Sequence, residues 1–113
     1  WWKLEPFRTE AAWAASCEAI ERNDKRTRGI VVLGLDAPED DLRESFALAT
    51  RFPLVKGFAV GRTIFGQVAR DWFAGKLDDR EAVSRMTENY ARLCDIWGDA
   101  RDSVQKQKAQ GAV

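Results

Sequence analysis

Histidine is absent from the chain, and cysteine is scarce. Cys17 and Cys94 are the only two cysteines, and they do not form a Cys-x-x-Cys pair. Zinc and most other transition-metal sites use histidine or clustered cysteine, so we expect no metal site and no cofactor. A nucleophile activated by histidine is excluded as well. Any catalysis must therefore use lysine, arginine, carboxylates or backbone amides, and the isolated thiols predict a reducing, cytoplasmic location.

The chain also lacks an excess of charge of either sign. Lys plus Arg number 18 and Asp plus Glu number 18. Nucleic-acid binding needs a cationic excess, so we expect no nucleic-acid partner. No apolar run approaches the ~20 residues that span a bilayer, so we expect no membrane segment. The 113 residues, 45% of them apolar, are enough for one folded domain with a modest core.

Short apolar runs alternate with longer amphipathic segments along the chain. Strands are predicted over residues 1–5, 30–36 and 54–60, and helices over about 9–23, 38–52, 62–73 and 78–100. Thr9 is the predicted cap of the first helix, Gly75 closes the third, and Asp78 with Glu81 forms a capping box for the fourth. Residues 102–113 are predicted to be a polar tail.

This alternation predicts a parallel sheet with right-handed helical connections. Three strands alone leave two open sheet edges and one face without helices, whereas a (β/α)8 barrel needs about 250 residues. The chain also begins with Trp1 rather than Met. We therefore expect residues 1–101 to be part of a TIM (β/α)8 barrel. The alternative is a small α/β interaction module complete in itself.

Strand alternation predicts a group of chemically useful residues on the face opposite the helices, towards the C-terminal strand ends. The group comprises Lys3, Glu5, Gly34, Asp36 and Gly61. Barrel enzymes have their active sites at this edge. Lys3 is a candidate Schiff-base amine, provided that burial beside Trp1 favours its neutral form. The alternative is that Lys3 pairs with Glu5 or extends into solvent.

The segment Gly61-Arg62-Thr63 is a candidate phosphate site between a strand and a helix. Glycine allows close approach of an anion, the first helical amides point towards it, and Arg62 adds a positive charge. Gly34 would contribute the neighbouring loop, as phosphate sites in barrels often use two successive loops. The alternative is a tight turn with Arg62 in a surface ion pair. Asp36 is either a catalytic carboxylate or the cap of the next helix.

Three segments resemble class I tagatose-bisphosphate aldolases. Residues 2–6, Trp-Lys-Leu-Glu-Pro, resemble the strand that carries their Schiff-base lysine. Residues 32–36 and 38–42 resemble their seventh strand and the acidic start of its helix. Residues 57–65, Gly-Phe-Ala-Val-Gly-Arg-Thr-Ile-Phe, are similar to their eighth strand and phosphate-binding turn. With Arg70, Trp72 and Gly75, these segments resemble most the aldolase-like domain fused behind the sugar kinase in bacterial 5-dehydro-2-deoxygluconokinases.

This resemblance implies βα units 6 to 8 of the barrel, with Lys3 as the imine-forming amine and Glu5 or Asp36 moving protons. Gly34, Gly61, Arg62 and Thr63 become the phosphate site. The implied reaction is cleavage of a phosphorylated keto sugar acid in myo-inositol catabolism, such as 2-deoxy-5-keto-gluconate 6-phosphate. The implied partners are the N-terminal barrel half and a fused sugar kinase, with a homo-oligomer as an option. The alternative function is a non-catalytic, phosphosugar-binding accessory domain of the kinase.

Overall fold

The computed structural model describes residues 1–111. Three strands and four helices follow one another along the chain. They are β1 (Trp2–Leu4), α1 (Glu10–Asn23), β2 (Ile30–Leu33), α2 (Glu39–Ala49), β3 (Val55–Ala59), α3 (Arg62–Phe73) and α4 (Asp79–Gly111). The strands form one parallel sheet in the order β1-β2-β3.

The prediction of βα units 6 to 8 of a TIM barrel is wrong for this structure. The described residues form an open, three-stranded sheet with four helices, and no barrel closure is present in residues 1–111. The physical reason is that alternating strands and helices specify parallel pairing, which open sheets and barrels share. Closure additionally requires a particular strand number and stagger, and these three strands do not encode them.

The core lies on one face of the sheet. Ile30, Val32 and Val55 are buried there beneath residues of α1, α2 and α4. Phe46 of α2 stacks on Phe58, with ring centroids 5.0 Å apart, and meets Trp97 of α4 edge-on at 5.1 Å. Burial of Phe46 and of Trp13, which is also completely buried, contributes large hydrophobic terms to the core.

The helix boundaries follow from local capping chemistry. The Thr9 hydroxyl accepts a hydrogen bond from the Ala12 amide at 3.2 Å. Asp78 and Glu81 cap each other's backbone amides at 2.8 and 3.3 Å, which is the predicted capping box. Gly75, with a φ of 73°, ends α3 because its left-handed conformation lets the next amide, of Lys76, reach the Asp71 carbonyl.

The last helix is longer than predicted. α4 continues to Gly111 instead of ending near Ala100, so residues 102–111 of the predicted polar tail are helical. This segment contains no proline and no glycine before Gly111, and its Lys, Gln and Ala residues favour helix. Polarity marks the segment as solvent-exposed, but it does not stop a helix. Residues 112–113 of the predicted tail lie outside the described residues.

The aromatic contacts of Phe46 predict a large effect of its removal. We expect Phe46→Ala to lower the free energy of unfolding by about 3–5 kcal/mol, because it leaves a cavity between the sheet and α4. Urea denaturation followed by circular dichroism measures this change. Trp1→Ala, at a residue that is 68% exposed, is the matched control and should change stability by less than about 0.5 kcal/mol. Equal effects of the two substitutions would contradict the described core.

Candidate functional site

The carboxyl ends of the three strands meet at one edge of the sheet, because the strands are parallel. β1 ends at Leu4, β2 at Leu33 and β3 at Ala59. Glu5 and Gly34 follow strand ends directly, Asp36 and Gly61 lie further along the connections, and Arg62 and Thr63 begin α3. The sheet therefore brings the predicted residues to a common edge but divides them between its two faces.

Lys3 lies on the face of the sheet that no helix covers. It is in register with Val31, which is paired with Gly57, whereas the buried Ile30 and Val32 point to the opposite face. A Cβ built on Gly57 would meet no atom within 4 Å, as expected on an open face. The Lys3 side chain is exposed, and within residues 1–111 it makes no ion pair with Glu5 or any other carboxylate.

Gly34 lies on the covered side and not beside Lys3. Strand alternation places it with Ile30 and Val32, and it is buried. A Cβ on Gly34 would come within 2.8 Å of Val60 Cγ1. Gly34 is therefore required for close packing between the ends of β2 and β3. The predicted shared face of Lys3 and Gly34 does not occur, because β1 and β2 pair with odd-numbered residues aligned.

The turn after β2 is strained. Leu35 and Asp36 have φ angles of 53° and 58°, and the Ala37 amide donates a 3.0 Å hydrogen bond to the Gly34 carbonyl. Two successive left-handed residues define a type I′ turn, which L-residues other than Asn, Asp and Gly adopt at a cost. Asp36 is exposed and does not cap α2, because Pro38 is the N-cap residue there. The sequence contained no signal for a left-handed leucine.

The start of α3 is held against the turn after β2. The Thr63 hydroxyl donates a 2.8 Å hydrogen bond to the Ala37 carbonyl, and the Gly61 carbonyl accepts from the amides of Ile64 and Phe65. The amides of Arg62 and Thr63, the first two of the helix, have no carbonyl partner within it. Arg62 is exposed and forms no ion pair within the part of the chain that the structure describes. This end of α3 can accept an anion.

A cavity of about 610 Å³ lies on the other side of the strand ends, between the β1–α1 connection and α2. Glu5 and Gly34 line it, together with Arg8, Asp41 and Glu44. Three carboxylates against one guanidinium give the cavity a negative lining, which disfavours a phosphate. Of the predicted site residues, Lys3, Asp36, Gly61, Arg62 and Thr63 do not line it. The cavity is therefore not the predicted phosphate site.

Two displaced pKa values lie elsewhere in the structure. Burial, with a smaller contribution from the Glu21 carboxylate, raises the pKa of the Cys17 thiol. The adjacent Cys94 thiol raises the pKa of Tyr90 on α4. Among residues 1–111, no three His, Cys, Asp or Glu side chains are grouped to hold a metal ion. No helix in this part of the chain is long and apolar enough to cross a membrane.

The fold and the strand-end residues define a parallel α/β protein with an amine on an open sheet face and the first turn of a helix after the neighbouring strand end. The chain belongs to a bacterial family described as uncharacterized conserved proteins (DUF2090), whose model matches residues 1–101. No curated protein and no solved structure matches the chain.

The strained turn after β2 predicts an unusual effect of glycine. We expect Leu35→Gly to raise the free energy of unfolding by about 0.5–1 kcal/mol, because glycine adopts positive φ without the steric cost that leucine incurs. Thermal and urea unfolding measure this change. The matched control is Ala47→Gly on the exposed face of α2, which should instead destabilise by about 1 kcal/mol. Destabilisation by both substitutions to the same extent would contradict the left-handed conformation of Leu35.

Proposed function

We propose that this chain is a class I, Schiff-base aldolase-type lyase domain that acts on a phosphorylated keto sugar acid. The observation that carries the proposal is the placement of Lys3, in β1, on the uncovered face of the sheet. The start of α3 follows the carboxyl end of β3 in the same sheet. An amine and an anion site are the two elements that such a substrate requires. The resemblance of residues 2–6 and 57–65 to class I aldolases supports the same assignment.

The separation between the two elements suits a small phosphorylated ketone. Lys3 and Gly57 occupy the same register across β2, and Gly61 lies four residues beyond Gly57. Two strand spacings of ~4.8 Å and four residue rises of ~3.3 Å place the Cα atoms of Lys3 and Gly61 about 16 Å apart. Extended lysine and arginine side chains span much of this distance. The remaining gap fits a keto carbon that lies close to its phosphate group.

The proposed chemistry uses the Lys3 amine as an electron sink. The neutral Nζ adds to the keto carbon of the substrate, and loss of water gives a protonated imine. When the bond between the α and β carbons of the imine breaks, its electron pair forms the double bond of an enamine as the imine nitrogen accepts the imine electrons, and the β-hydroxyl loses its proton as it becomes an aldehyde. Protonation and hydrolysis of the enamine return the amine and release a phosphorylated ketone. Glu5 or Asp36 is the proposed carrier of the proton.

The proposed substrate is of the type of 2-deoxy-5-keto-gluconate 6-phosphate. Cleavage between its third and fourth carbons yields malonate semialdehyde and dihydroxyacetone phosphate. Arg62 and the first amides of α3 hold the phosphate next to the keto carbon. The proposed setting is the cytoplasm, where Cys17 and Cys94 stay reduced, and the proposed covalent partner is a sugar kinase domain.

A second function is favoured by the solvent exposure of Lys3. An amine is nucleophilic in its neutral form, and it is burial that favours this form. In residues 1–111 no side chain covers the open face around Lys3, whereas the start of α3 needs no cover to bind an anion. The alternative is therefore a non-catalytic phosphosugar-binding domain that serves a sugar kinase. It shares the phosphate site with the first proposal and lacks the imine.

Reductive trapping tests the imine. We expect the full chain, incubated with dihydroxyacetone phosphate and borohydride, to gain a covalent adduct on the peptide that contains Lys3, detected by mass spectrometry. Lys3→Arg should abolish this adduct because a guanidinium does not form the imine. Lys56→Arg, which alters another exposed lysine of the sheet, is the matched control and should leave the adduct unchanged. Labelling spread evenly over the lysines, or none on Lys3, would contradict the lyase proposal.

Binding of the phosphate tests the part that both functions share. We expect Arg62→Gln to weaken binding of dihydroxyacetone phosphate about tenfold, because one charge-assisted contact is lost. Calorimetric titration measures this change. Arg43→Gln, an exposed arginine on α2, is the control and should have no effect. Unchanged binding to the Arg62 variant would exclude both functions at this site, whereas weakened binding without a Lys3 adduct would support the accessory domain.

A further inference from the structure

The cavity of about 610 Å³ beside the strand ends has two walls. One wall is the segment 5–8, which connects β1 to α1. The other is the side of α2 that carries Asp41, Glu44, Ser45 and Leu48. These four residues follow the spacing i, i+3, i+4 and i+7, so they form one stripe along the helix. The cavity thus lies between one helix face and one connecting segment.

The position and the size of this cavity are those of a small-molecule site. Glu5 and Gly34 line it, and they follow the carboxyl ends of β1 and β2. Open parallel sheets place their ligands in crevices outside the carboxyl ends of the strands. The volume also falls within the range of about 300–1,000 Å³ that small-molecule sites occupy. Both observations indicate a ligand independently of the charges in the lining.

The charged residues of the lining have no ion-pair partners of their own. Four such residues line the cavity: Glu5, Arg8, Asp41 and Glu44. Within residues 1–111 none of them is in an ion pair, whereas Arg51 and Glu10 do pair between the end of α2 and the start of α1. A ligand that matches the four charges carries positive groups for the carboxylates and a negative group for the guanidinium.

The three carboxylates are divided between the two walls and do not converge on one point. In the part of the chain that the structure describes, no three acidic, cysteine or histidine side chains are grouped to hold a metal ion. The positive charges of a ligand must therefore be separated as well. Phe7, Leu42 and Leu48 also line the cavity, and they suit an aliphatic stem that joins the charged ends of such a ligand.

We propose that this cavity binds a free basic amino acid, with lysine as the type. An amino acid carries a positive and a negative group side by side, which matches Glu5 and Arg8 on the same connecting segment. The methylene chain crosses the cavity over its apolar residues, and the side-chain ammonium meets Asp41 and Glu44 on α2. This site is separate from the proposed phosphate site at the start of α3, and it does not depend on that proposal.

Calorimetric titration of the full chain with three related compounds tests the proposal. We expect L-lysine to bind with a dissociation constant below about 1 mM. Cadaverine, which lacks the carboxylate, and L-norleucine, which lacks the side-chain ammonium, should each bind at least about tenfold more weakly, because each loses one charge-assisted contact.

Variants of the two walls assign each contact. Asp41→Asn combined with Glu44→Gln should weaken binding of L-lysine at least about tenfold and leave L-norleucine unchanged. Arg8→Gln should weaken L-lysine about tenfold and should not weaken cadaverine, which has no carboxylate to lose. Glu5 is kept in all variants because it is also a proposed proton carrier. Circular dichroism verifies that the variants retain their helical content.

The matched control is Asp40→Asn, which removes a carboxylate from the same turn of α2. Asp40 is exposed and does not line the cavity, so L-lysine should bind this variant as it binds the parent chain. Absence of saturable binding of L-lysine up to about 10 mM would overturn the proposal. Cadaverine that binds as tightly as L-lysine, or binding that the double variant on α2 leaves unchanged, would overturn it as well.

Discussion

Phe46 lies between the sheet and the last helix, in contact with both Phe58 and Trp97. This aromatic cluster joins α2 and β3, which follow one another in the chain, to the distant α4. Because it draws the helices to the same side of the sheet, Ile30 and Val32 are completely buried while the residues that alternate with them stay accessible. The open face that carries Lys3 exists because the hydrophobic contacts are gathered on the opposite one.

The same one-sided arrangement determines how far Lys3 and the start of α3 are exposed to solvent. An open face admits substrate to Lys3 without any movement of the protein, but it leaves the amine exposed to water and not in the buried surroundings that imine-forming lysines use. The proposed phosphate site at the start of α3 has no such conflict, because helix amides attract phosphate even at a surface. Recognition of a phosphorylated compound is thus easier for this structure to support than the chemistry that would follow.

Much of the local structure could be predicted from the residues themselves. Thr9, Gly75, and Asp78 with Glu81 act through contacts within a few residues, so their roles are encoded by neighbouring chemistry. The three strands occur where the apolar runs lie, because parallel strands need continuous hydrophobic sequence. The length of α4 is the exception, because the predicted end near Ala100 is wrong although the polar segment beyond it retains good helix formers.

Three features could not be predicted, because each depends on contacts between distant parts of the chain. The alignment of Lys3 with Val31, and therefore the separation of Lys3 from Gly34, is set by pairing between β1 and β2. Closure of a sheet depends on strand number and stagger, which periodicity does not report. The left-handed turn at Leu35 arises because Gly34 packs against Val60 and α3 is tied to Ala37. Local propensity opposes such a turn.

The sheet order has a consequence for how the protein is made. Each strand pairs only with the strands next to it in sequence, so every pairing joins a new strand to one that has already left the ribosome. Folding can therefore advance from the N-terminus as synthesis proceeds. The exception is the cluster of Phe46, Phe58 and Trp97, which waits for α4. Until that helix arrives, the nascent sheet exposes the apolar surface that α4 later covers, and this interval is when the chain most needs protection from aggregation.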